Sequence, residues 1–180
     1  IEGFTSSVPE QKLAALCNQN AIPFAIDLGS GSFIDLENLG LPHQPTPKEA
    51  LATGADIVAF SGDKILGGPQ SGIILGSKKY IEKIRSNPIK RALRSDKITI
   101  AALSSVLRLY TQPEVLIQNI PCLRIISRKS EEISDQVQCL IEPIRNWVGS
   151  QYTVNLVACK SQVGSGTMPT SHLPSAGAEI

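Results

Sequence analysis

Ile57-Val58-Ala59-Phe60-Ser61-Gly62-Asp63-Lys64 is an apolar run that ends in a polar cluster, with Gly67-Gly68-Pro69 close behind it. A run this short, bounded by turn residues, reads as a buried strand. Upstream, Ile22 to Ile26 repeats the arrangement and leads into Asp27-Leu28-Gly29-Ser30-Gly31-Ser32. Between the two, Pro47 to Thr53 reads as a crossover helix closed by Gly54. Strand, acid, helix, strand, lysine is the order of a βαβ unit, and it predicts an α/β fold with a mostly parallel sheet and flanking helices. Ligands of such sheets sit beyond the carboxyl ends of the strands, so Asp27 and Lys64 are expected to face one crevice.

That pairing has a chemistry. A lysine at the mouth of a buried strand loses solvation and becomes a nucleophilic amine, which a carbonyl cofactor such as pyridoxal phosphate requires. A carboxylate at Asp27 would keep the ring nitrogen of that cofactor protonated, and the Ser61 hydroxyl is placed to reach its phosphate. Taken singly, each residue has a plainer reading: Asp27 as a cap or turn residue, Lys64 as a solvated charge. It is the pair, each closing an apolar run at a βαβ separation, that favours a site.

Two rival motifs fail on their surroundings. Gly67-Gly68-Pro69-Gln70 would cradle a phosphate only as part of a P-loop, but the lysine precedes the glycines and a strand-like run, Gly72 to Leu75, follows where a helix is needed. A tight turn joining two strands accounts for it better. Ser61-Gly62-Asp63-Lys64 also fits the SxxK pattern of acyl-serine enzymes, yet neither SDN nor KTG occurs and the glycines and Pro69 would stop the required helix.

The chain is nearly neutral overall, at +1, so its local charge is informative. From Lys78 to Lys97 it carries Lys78, Lys79, Lys83, Arg85, Lys90, Arg91, Arg94 and Lys97 against only Glu82 and Asp96. The first four read as a solvated helix face. Arg91 and Arg94 are spaced to share one side of a helix, where their guanidinium forks would suit an oxyanion.

With 180 residues, 42% of them apolar, the chain can bury a sizeable core. No stretch approaches the roughly 18 apolar residues of a membrane span, and no basic and apolar leader opens the sequence. Cys17, Cys122, Cys139 and Cys159 have neither CxxC nor zinc-ligand spacing, so they read as reduced thiols of a cytoplasmic protein, and no metal site is expected. His43 and His172 read as loop residues.

Elsewhere the periodicity predicts helices over Pro9 to Asn20, Lys78 to Arg85 and Lys97 to Tyr110, with a strand at 72 to 76. Near Gln112-Pro113 the pattern changes. Cys122 to Val148 is helical in period with a break at Glu142-Pro143, Tyr152 to Cys159 alternates like a strand, and Ser161 to Ala178 reads as a loop. The predicted organisation is a large-domain part over 1–112 and a small α+β domain over 113–180.

The block FSGDKILGGPQSGIILG, followed by KRALRSDKITIAALSSVLRLY, resembles the bacterial selenocysteine synthases, the L-seryl-tRNA(Sec) selenium transferases of the fold-type I pyridoxal-phosphate enzymes. The likeness starts near IEGFT, includes FAIDLGSGSFIDLENLGLP and continues through CLRIISR to SQVGSGTMPTSHLPS. It implies the C-terminal half of the cofactor-binding large domain plus a small C-terminal domain, with Lys64 covalently holding pyridoxal 5'-phosphate, Asp27 on its ring nitrogen and Asp63 in the active site. It further implies that Arg91 and Arg94 receive selenophosphate, and that the hydroxyl of tRNA-bound serine is eliminated before selenium adds.

Family members form homo-oligomers built from dimers and contact seryl-tRNA(Sec) mainly through an N-terminal part that has no counterpart in these residues. The 180 residues alone are therefore expected to bind cofactor poorly and to lack transferase activity. The alternatives are another fold-type I lyase or transferase with a different substrate, and a noncatalytic module of the same fold.

Overall fold

The computed structural model describes residues 6, 8–164 and 171–180. Two compact units divide between Leu123 and Arg124. The change of periodicity at Gln112-Pro113 lies one helix earlier. The segment IEGFT, where the resemblance begins, lies outside the described residues.

The first unit begins with α1 (Glu10–Gln19), which leads to β1 (Ala25–Asp27). A 3-10 turn at Leu36–Leu39 and α2 (Pro47–Ala52) precede β2 (Ile57–Ser61). Next come β3 (Gly72–Gly76), α3 (Lys78–Ser86), α4 (Lys90–Leu93), α5 (Lys97–Leu109) and α6 (Pro113–Asn119), and α7 (Pro121–Ile126) runs across the division.

The chain has the α/β architecture expected of it. Strand order is β1-β2-β3, with β1 parallel to β2 and β2 antiparallel to β3, so the sheet within these residues is mixed. The register pairs Ala25 with Ile57 and Asp27 with Ala59, which puts the ends of the two parallel strands side by side. Their apolar residues build the core: Ile26, Val58 and Phe60 are buried together with Ala50, Ala55 and Leu66. Leu103, Val106, Leu107 and Tyr110 on α5 pack against that cluster, one stripe of a helix whose period was legible.

Helix α2 is short and depends on its cap. Thr46 Oγ1 accepts the Glu49 amide at 3.2 Å while a Glu49 carboxylate oxygen accepts the Thr46 amide at 2.7 Å, a reciprocal capping box. The Thr46 amide, then the Thr46 hydroxyl, hold the Glu49 carboxyl below its ordinary range. Because the folded-state value is depressed, the stabilisation is present above the unfolded value and disappears as pH falls through the folded one. Thr46→Ala is expected to cost about 1 kcal/mol in urea unfolding at neutral pH. Glu49→Gln should lower the melting temperature at pH 7 and match the parent at acid pH; equal deficits at both would refute the assignment.

The second unit is α8 (Ser130–Val148) and the antiparallel hairpin of β4 (Asn155–Gln162) and β5 (His172–Glu179). Two expectations are corrected here. Helix α8 runs through Glu142-Pro143 without a break, because buried Ile141 anchors it before the proline and Arg145 ties the next turn to Glu142 and to the Val154 carbonyl. The predicted loop over Ser161 to Ala178 contains β5, so His172 opens a strand. Pairing with β4 from Asn155–Glu179 to Gln162–His172 overrides the weak strand propensity of Pro174, Ser175 and Gly177. Residues 165–170 of that predicted loop lie outside the described residues. Among the described residues no helix is long and apolar enough to cross a membrane.

Candidate functional site at the tips of the parallel strands

Strand β1 ends at Asp27 and its loop stays bonded to β2: the Leu28 amide donates to the Ala59 carbonyl at 2.9 Å and the Ser61 amide to the Gly29 carbonyl at 2.8 Å. The loop therefore lies alongside the last residue of β2. The chain then turns, and Lys64 folds back over it. A β-carbon placed on Gly29 would stand 3.9 Å from Lys64 Nζ, an ordinary contact, so the amine sits over the Gly29 backbone. Asp27 Oδ1 accepts the Gly29 amide at 2.9 Å. The acid and the amine thus meet at the same glycine. Among the described residues no ion pair engages either.

Exposure separates the candidates. Lys64 and Ser61 are half-buried, while Asp27 and Asp63 are exposed. Ser61 ends β2 beside Gly29, at the strand tip next to the one that ends in Asp27. Arg91 and Arg94 are exposed and lie on the separate α4 segment. The helix stops at Leu93, and Arg94 is its extended C-cap with ψ 136°, so the helical spacing argument holds for Arg91 and not for Arg94. Lys78, Lys79, Lys83 and Arg85 are solvated, as read.

The loop that carries Lys64 is closed at its base, where the Gly62 amide donates to the Ser71 carbonyl at 2.8 Å and the Gly68 amide to the Gly62 carbonyl at 2.7 Å. Gly67-Gly68-Pro69-Gln70 is the turn between β2 and β3, with Gly67 at φ +75°. Sequence reasoning did not connect two distant residues to this loop. Tyr110 donates its hydroxyl to the Leu66 carbonyl at 3.1 Å, and the Cys122 thiol to the Ile65 carbonyl at 3.1 Å. Spacing carried no signal for either contact. Burial lifts the Tyr110 phenol far above its usual range, with Cys122 adding to the effect, and burial also pushes the Cys122 thiol up. All four cysteines are free thiols. Asp35, Glu37 and His43 form an exposed surface cluster, in which His43 Nδ1 lies 3.4 Å from Glu37 and Asp35 already caps the Glu37 amide.

The donor set at the strand tips fits a carbonyl cofactor of the pyridoxal type. It offers one primary amine on a half-buried lysine, a carboxylate nearby, a hydroxyl at the adjoining strand end and a glycine backbone that leaves space beneath the amine.

Comparison with known proteins gives a consistent picture. The family model described as SelA: L-seryl-tRNA selenium transferase matches residues 1–180. The chain is 51% identical over 175 residues to the L-seryl-tRNA(Sec) selenium transferases of Yersinia pestis (strain Pestoides F) and Yersinia pseudotuberculosis serotype O:1b (strain IP 31758). Each match covers 97% of this chain and 38% of the relative, so the chain spans well under half the length of these relatives. Among solved structures it is similar to D-glucosaminate-6-phosphate ammonia-lyase, with a TM-score of 0.51 and 21% identity over 92% of this chain and 36% of that one. At that identity the likeness speaks for the fold alone.

Proposed function

The chain belongs to the L-seryl-tRNA selenium transferase family, and we propose that it supplies the lysine-bearing part of an enzyme that converts seryl-tRNA(Sec) to selenocysteinyl-tRNA(Sec) with pyridoxal phosphate as cofactor and selenophosphate as selenium donor. The observation that carries this reading is the Lys64 amine lying over Gly29, with Asp27 on the same glycine, at the adjoining tips of two parallel strands.

Each residue then has a task. Lys64 binds the cofactor through Nζ and afterwards moves protons at the serine α-carbon and hydroxyl. Asp27 holds a proton at the ring nitrogen, and its bond to the Gly29 amide orients the carboxylate for that role. Ser61 donates to the phosphate, and Asp63 stands exposed at the entrance beside the lysine. Bound there, pyridoxal phosphate supplies a carbonyl for the amine and an electron-withdrawing ring for the substrate. Arg91 and Arg94, both exposed, bind the oxyanion of the donor as charge-assisted forks. The setting is a cytoplasmic homo-oligomer built from dimers, with tRNA held mainly outside these residues.

The test uses the full-length protein with seryl-tRNA(Sec) and selenophosphate, reading selenium on the recovered aminoacyl-tRNA. Selenium incorporation is the expected outcome, and recovery of serine alone overturns the reading. Arg91→Met and Arg94→Met are each expected to lower turnover at limiting selenophosphate by about tenfold or more while pyridoxal phosphate still attaches to Lys64. Unchanged dependence on selenophosphate would remove the arginines from the donor site.

A further inference from the structure

We propose that Tyr110 and Cys122 are positioning residues that lock the backbone on the C-terminal side of Lys64 and so set the direction of its amine; the link to chemistry rests on Lys64 being the cofactor lysine. Three successive carbonyls follow from that position, and each accepts a hydrogen bond. The Lys64 carbonyl accepts the Gly67 amide at 3.0 Å, the Ile65 carbonyl accepts the Cys122 thiol, and the Leu66 carbonyl accepts the Tyr110 hydroxyl, both at 3.1 Å. Ile65 and Leu66 are buried at 3% and 0% exposure, so a carbonyl that lost its donor there would find little water to replace it. With these carbonyls held, the loop that follows Lys64 is kept in one conformation, and the lysine leaves it from a fixed backbone.

The packing around the clamp makes it specific. A β-carbon on Gly67 would fall 2.5 Å from Ile120 Cγ2 and 3.1 Å from Cys122 Sγ, so the segment joining α6 and α7 is pressed directly onto the loop. The Tyr110 ring is held independently by edge-to-face packing on Phe33 at 5.5 Å, which means its hydroxyl can be removed without losing the ring contact. Burial keeps both the phenol and the thiol protonated, and hence donors, through the neutral range.

The experiment compares Tyr110→Phe, Cys122→Ala and Cys122→Ser with the parent in the full-length protein. Amide hydrogen exchange is followed over 62–70, and pyridoxal phosphate attached to Lys64 is trapped with borohydride and timed by peptide mass. Tyr110→Phe and Cys122→Ala should each speed exchange over 62–70 by about fivefold, leave peptides of β1 and α8 unchanged, and slow attachment at Lys64. Cys122→Ser keeps a donor at the same place and should restore both readouts. Unchanged exchange over 62–70 in both variants overturns the proposal, as does acceleration spread equally over the whole chain. Should the parent take no pyridoxal phosphate at Lys64 while exchange responds as described, the clamp stands and the cofactor reading alone falls.

Discussion

Lys64→Ala in the full-length protein is expected to abolish covalent capture of pyridoxal phosphate and to lower selenium transfer by at least about a thousandfold, with the fold intact. Removing the amine that forms the covalent bond removes the whole route, which is why losses of this kind are large. The stability side is equally specific. Lys64 is half-buried and, among the described residues, has no ion pair, so trimming its side chain should change unfolding by no more than about 0.5 kcal/mol. Borohydride trapping followed by peptide mapping gives the chemical readout, and urea unfolding gives the other. An adduct that persists at another lysine would end the assignment. So would a variant whose lost activity is matched by a lost fold.

Gly31→Ala should have the largest effect on stability of any small substitution in the strand-tip loop, about 2 to 5 kcal/mol. Gly31 has φ +48°, a left-handed conformation that costs an L-residue roughly 1 to 2 kcal/mol. Space is the greater obstacle. A β-carbon there would fall 2.6 Å from Phe60 Cβ and nearer still to the ring, and Phe60 is 3% exposed with its ring edge-to-face against Phe33 at 5.5 Å. Phe60 is buried and has little room to retreat, so an overpacking penalty of about 1 to 3 kcal/mol adds to the backbone strain. Gly40→Ala is the control. Gly40 has φ +72° but nothing within 4 Å of the added carbon, so it should lose only the backbone part. Urea midpoints for the two variants separate the contributions, and equal losses would show that the Phe60 contact is soft.

How much of this was legible in the letters depended on distance along the chain. Asp27 and Lys64 each follow an apolar run, and parallel pairing of those runs is what brings their ends together, so hydrophobic pattern alone placed the two strand tips side by side. Helices α3 and α5 were equally plain, because their half-buried residues recur at helical period. The region around Arg94 was less so. Three-residue spacing says which side of a helix a residue shares, but Ile89 to Arg94 makes barely a turn before the chain extends. Pro143 read as a break because local sterics oppose it, and flanking contacts decided otherwise. Strand β5 could not be read from Pro174, Ser175 and Gly177, since only the partner β4 makes that segment extended. The contacts of Tyr110 and Cys122 with the lysine loop are the least legible, since nothing local foretells a bond to a carbonyl 44 or 57 residues away.

Those long separations have a kinetic meaning. Closing loops of such length costs entropy that is recovered only when α5 and α7 dock, so the two bonds from Tyr110 and Cys122 are expected to form late, after the hairpin of β2 and β3 and the local turns have condensed. A nascent or partly assembled chain would carry the Lys64 amine on a wandering tether, and the amine would acquire its aim only as the last helices settle. Competence for covalent chemistry at residue 64 would thereby become a signature of completed packing.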